Sequence, residues 1–110
     1  MEVFAGQLQA RFDDITEAPA PPIRLTATAG NGQVSLDWDD NAEEDIAFYN
    51  LYRSTTAGGP YSFYAGGIAA SSLVDAGAIN GTTYYYVLTA INTSNVESAA
   101  SSEAAATPQL

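Results

Sequence analysis

The chain has no cysteine, no histidine and no lysine, and its basic residues are limited to Arg11, Arg24 and Arg53. Without cysteine there is no disulfide framework and no thiolate metal site. Without histidine the usual general base, the Ser-His triads and imidazole metal ligands are gone. The abundant Ser and Thr therefore have nothing to activate them as nucleophiles. Three arginines against 13 acids give a net charge of -10. That balance disfavours nucleic acid and anionic membranes, because both bind through cations. No apolar run approaches the roughly 18 residues needed to cross a bilayer, so no membrane insertion is expected. The opening MEVFAGQLQARFDD has neither a basic n-region nor a long apolar stretch, and it does not read as a secretory signal.

What the chain does have is strand periodicity. Its 110 residues suit one domain with a single core. From Gln7 the sequence alternates, with Leu8, Ala10 and Phe12 on one face. Residues 1–17 read as an N-terminal extension: the end of an upstream domain, or a strand donated to a partner. A lone amphipathic strand is not stable, so it must fold back, stay loose or pair with the edge of another copy. Residues 18–22, APAPP, read as a stiff extended linker, since proline cannot donate to a ladder. A domain then runs over residues 23–110.

Within that domain, Ile23, Leu25 and Ala27 are expected to share one face of the first strand. Asn31-Gly32 signals a hairpin. QVSLDWD alternates with Val34, Leu36 and Trp38 inward. Tyr49 and Leu51 share a face in IAFYNLYRS, YSFYAG and SLVDAG make short strands, and YYYVLTAI is the strongest strand of all. A last edge strand lies in AASSEAAATP. Seven short strands with turn signals between them predict an all-β, two-sheet antiparallel sandwich of immunoglobulin-like type. Alternation sorts the three consecutive tyrosines: Tyr84, Tyr86, Leu88 and Ala90 face the core, while Tyr85, Val87, Thr89 and Ile91 face away. A buried Tyr needs a partner for its hydroxyl. Tyr84 follows the turn NGTT, to whose backbone its hydroxyl can reach back.

The stretches PAPPIRLTATAGNGQVSLDW, DIAFYNLYRSTTAGGPY and NGTTYYYVLTAINTSNVES occur in the order and spacing of a fibronectin type III domain. The chain from Ala18 to Pro108 resembles that family in its bacterial extracellular form. The resemblance implies core roles for Trp38 and Tyr49 and a tyrosine corner at Tyr84. Ala78 departs from it, since the family usually carries Leu before the corner. The Arg-Gly-Asp tripeptide that some members use for integrin binding is absent. The resemblance also implies a non-catalytic spacer or interaction module of a secreted bacterial protein, its partners being neighbouring domains of the same polypeptide or other protein copies. GQLQARFDDIT is similar, over a short stretch, to the closing strand of a jelly-roll or lectin-like domain.

Three constellations stand out for chemistry. Asp39, Asn41, Glu43 and Asp45 crowd one loop. They either hold a calcium ion through oxygen ligands or bond local backbone as Asx turns. The spacing is not that of an EF-hand, and acids on one exposed loop do not make a glycosidase pair. Tyr52, Tyr61, Phe63, Tyr64 and Tyr85 include outward rings that either stack on a polysaccharide or another protein, or pack across strands. Leu8, Ala10 and Phe12 would serve a self-assembling subunit of a filament or a virion surface by strand addition. Asn80-Gly81-Thr82 and Asn92-Thr93-Ser94 fit the glycosylation sequon.

Overall fold

A computed structural model describes residues 17–110. The assembly strand at Leu8, Ala10 and Phe12 lies outside the described residues. Seven strands follow in order: β1 (Thr26–Gly30), β2 (Gln33–Asp37), β3 (Ile46–Ser54), β4 (Ser62–Ile68), β5 (Ser72–Asp75), β6 (Tyr84–Asn92) and β7 (Ala104–Ala106). They form a three-stranded sheet, β1-β2-β5, and a four-stranded sheet, β4-β3-β6-β7, with antiparallel pairing throughout. The sandwich expected from strand spacing is therefore the observed fold.

β2 buries one face because its apolar residues fall at every second position. Val34 and Leu36 of β2 meet Tyr49 and Leu51 of β3 and Tyr84, Tyr86, Leu88 and Ala90 of β6 in one core. Trp38, just past β2, packs its ring edge-on to Tyr49, with centroids 5.6 Å apart. Tyr84 makes the corner as expected: the Ile79 amide donates to its hydroxyl at 2.9 Å. Ala78 is buried in the same cluster.

Two expectations need correction. The first strand starts at Thr26 rather than Ile23, and the Ile23 side chain is 58% exposed. The cause is Arg24, whose φ of 60° turns the backbone out of the extended region just before the strand. The second concerns the outer face of β6. Val87, Thr89 and Ile91 are buried although they point away from the core. Their neighbours in register, Tyr52 beside Val87 and Phe48 beside Ile91, cover them, and Glu97 caps Thr89. In β4, Gly67 at φ 65° accompanies a shift of register against β3 between Tyr49 and Leu51. Such a bulge bends an edge strand away from unwanted pairing.

Candidate functional site

The most concentrated chemistry lies between the sheets. Leu73 and Asp75 of β5 face inward, opposite Leu36 and Val34, which places a carboxylate in the core. Asp75 is wholly buried. It accepts four hydrogen bonds, from Tyr64 at 2.5 Å, Tyr86 at 2.7 Å, Arg53 at 2.9 Å and the Gly77 amide at 3.0 Å. One residue of the smaller sheet thus grips three strands of the larger. The Arg53 guanidinium lies 4.3 Å from the Tyr64 ring centroid and 4.7 Å from that of Tyr84, a cation–π arrangement at both rings.

Burial alone would raise the Asp75 carboxyl, but the bonds from Tyr64, Tyr86, Arg53 and Gly77 outweigh it and hold it below the ordinary range. Burial pulls Arg53 down, and its bond to Asp75 more than restores it. Burial, then Asp75, pushes the Tyr86 hydroxyl well above its usual value. Saturated with donors and sealed from solvent, Asp75 has no lone pair to offer a substrate. It rivets the sheets together. Sequence reasoning missed it by taking SLVDAG as a strand ending in a turn. The available signal was that Asp75 shares a face with Leu73.

The acidic loop is tied to the segment that precedes β1. Asp39 pairs with Arg24 at 3.2 Å. Asn41 donates through Nδ2 to the Ala20 carbonyl at 2.7 Å and to Glu43 Oε1 at 3.1 Å. Glu43 Oε2 accepts the Ala20 amide at 2.7 Å, and that bond holds its carboxyl below the usual range. Among the described residues no three acidic side chains converge on a point where a metal could sit. Of the four residues considered for calcium, Asp39, Asn41, Glu43 and Asp45, two grip backbone from residues 18–22: Asn41 and Glu43.

The aromatic surface is also broken up. Tyr64 turns to the sheet interface and is bound to Asp75. The Tyr61 hydroxyl donates to Glu103, which also accepts the Gly58 amide at 2.8 Å. Tyr52 donates to Glu97 at 2.5 Å and meets Phe63 edge-on at 5.9 Å. Tyr85 is half-buried. Of the five rings considered for a ligand surface, Phe63 alone is largely open, at 61% exposure. Phe63 borders an open groove of about 360 Å³ that Arg53, Thr56 and Pro60 also line. The sequons are occupied too: Asn80 accepts the Gly32 amide at 2.7 Å, and Asn92 is buried with its Nδ2 donating to the Glu17 carbonyl at 2.9 Å.

No family model matches the chain. A solved structure of an Fn3-like protein from Clostridium thermocellum superposes with a TM-score of 0.72 at 35% identity, covering 86% of this chain and 98% of that one. The chain belongs to the fibronectin type III family. This fibronectin type III domain is also 38% identical over 91 residues to an amylopullulanase of Thermoanaerobacter thermohydrosulfuricus, covering 83% of the chain but 6% of that protein. It superposes on part of a β-1,2-glucanase from Parabacteroides distasonis with a TM-score of 0.73 at 27% identity, covering 86% of this chain and 13% of that one. The domain thus corresponds to a small segment of much longer proteins.

Proposed function

We propose that this fibronectin type III domain is a non-catalytic spacer in a secreted bacterial polypeptide that acts on polysaccharide. The observation that carries the reading is the path of the chain. It enters beside the end of β2, where the Asp39 amide holds the Ile23 carbonyl at 3.1 Å. It leaves beside the start of β2, where Gln109 donates to the Gly30 carbonyl at 3.2 Å and Pro108 accepts the Gly81 amide at 2.8 Å. Entry and exit therefore sit at opposite ends of the sandwich, and the modules on either side stand a domain's length apart.

Three further points support it. The histidine-free inventory offers no general base of the usual kind, and the one buried carboxylate among the described residues, Asp75, is fully used. The amylopullulanase and the β-1,2-glucanase named above are enzymes in which the matching segment is a small fraction. An acidic, cysteine-free surface suits a salty exterior. These relatives lend nothing to a virion-surface role. The partners are the neighbouring modules of the same polypeptide. The test is excision of residues 17–110 from the parent. Turnover of a short soluble oligosaccharide stays unchanged while attack on polymer falls. Loss of turnover on the short substrate would overturn the reading.

A further inference from the structure

Residues 17–25 repeat their surroundings every three positions. The side chains of Pro19 and Pro22 are buried and Leu25 is half-buried, while Ala18, Pro21 and Arg24 face solvent. The carbonyls of Glu17, Ala20 and Ile23 each accept a hydrogen bond from the body: from Asn92 Nδ2 at 2.9 Å, Asn41 Nδ2 at 2.7 Å and the Asp39 amide at 3.1 Å. Ala20 also donates its amide to Glu43 at 2.7 Å. A period of three is that of a polyproline II helix, which makes no internal hydrogen bonds and leaves its carbonyls for outside partners. Prolines at 19, 21 and 22 preset φ for it. At 3.1 Å per residue, the six steps from Glu17 to Ile23 span about 19 Å. The positive φ of Arg24 ends the run and turns the chain into β1.

We propose that Glu17–Ile23 is a clamped arm rather than a hinge: pinned at every turn, it fixes the direction in which the upstream polypeptide leaves the domain. Asn41, Glu43 and Asn92 are its holding residues. This deepens the spacer reading and rests on it. A proline run attached only at its end would be stiff along its length and free to swing at its root. Here the loop that carries Asn41 and Glu43, together with Asn92 at the end of β6, takes hold of the root itself, so the upstream module has a set orientation as well as a set distance.

The test is the backbone order parameter of the full, ¹⁵N-labelled chain. In the wild type the amides of Glu17, Ala18 and Ala20 are as ordered as the strands, near about 0.85. Asn41→Ala and Glu43→Ala each drop them below about 0.6 while amides of β2, β3 and β6 keep their order. Asn41→Ala leaves the bond from its own backbone amide to the Tyr49 hydroxyl in place, so the loop is not lost with the clamp. Glu43→Gln keeps an acceptor for Ala20 and holds the arm. Asn92 is a poor probe, because its Oδ1 also accepts the Ser94 and Val96 amides. Wild-type values below about 0.6, or both alanine variants leaving the arm rigid, would overturn the proposal. That failure would leave a jointed spacer, whereas failure of the spacer reading itself shows in the excision experiment.

Discussion

Replacing Asp75 with Asn should be the most damaging near-isosteric change in the molecule. The substitution keeps the shape and removes the charge that Arg53 faces. Asp75 is fully buried, and the Arg53 side chain is 26% exposed, so water can solvate the stranded guanidinium only in part. Breaking a buried pair by removing one partner costs about 3–5 kcal/mol. The amide also turns an NH₂ toward donors that need an acceptor, from a set that includes Tyr64, Tyr86 and the Gly77 amide. A loss of that size is a large share of the roughly 5–15 kcal/mol that stabilises a typical domain. At about 4–8 °C per kcal/mol for a domain of this size, the melting midpoint falls by more than about 12 °C. The assay is urea unfolding followed by fluorescence of Trp38, the single tryptophan, which is 4% exposed in the fold. Arg53→Met on the Asp75→Asn background should recover part of the loss, giving a coupling energy above about 1 kcal/mol. If Asp75→Asn costs less than about 1 kcal/mol, or the two changes simply add, the rivet is wrong.

Other outcomes follow from the same geometry. The depressed carboxyl of Asp75 contributes stability that is present above about pH 4 and lost as pH falls through its folded value, so Asp75→Asn should flatten the acid limb of a stability-against-pH curve. The raised hydroxyls of Tyr64 and Tyr86 work in the opposite sense. Their contribution is intact below about pH 10 and lost as pH rises beyond it, which alkaline urea titrations will show as a second decline. Tyr84→Phe strands the Ile79 amide and should cost about 1–3 kcal/mol in urea unfolding. Melting midpoints with calcium and with chelator should coincide within error, because no three acids converge among the described residues.

Local pattern carried the fold further than it carried the candidate sites. The two-residue alternation of β6 sorts Tyr84 and Tyr86 from Tyr85 without reference to anything distant, and the turn before Tyr84 announces the corner. Asp75 is different. Its partners Arg53, Tyr64 and Tyr86 lie 11 to 22 residues away on three other strands, and an Asp before Ala-Gly looks locally like a turn former. The proline stretch misled for the same reason. Its composition says stiff and extended, but what pins it lies 21, 23 and 75 residues away at Asn41, Glu43 and Asn92. The alternating Asn41-Glu43-Asp45 pattern suggested ligands for a cation because like charges repel. In the fold, Asn41 and Glu43 take backbone groups of Ala20 as partners. Exposure of the rings was equally out of reach, since Tyr61 and Tyr52 are tied down by Glu103 and Glu97, 42 and 45 residues away.

The spacer claim is tested most directly by exchange within the parent polypeptide. Residues 17–110 are replaced once by a flexible Gly-Ser linker of equal reach and once by an unrelated fibronectin type III domain with a clamped N-terminal arm. Activity on polymer and on a short soluble oligosaccharide is measured for each. If the domain is a spacer, the flexible linker lowers activity on polymer alone and the unrelated domain restores it. A flexible linker that performs as well as the native domain would rule out a spacer role, and so would an unrelated domain that fails to restore activity.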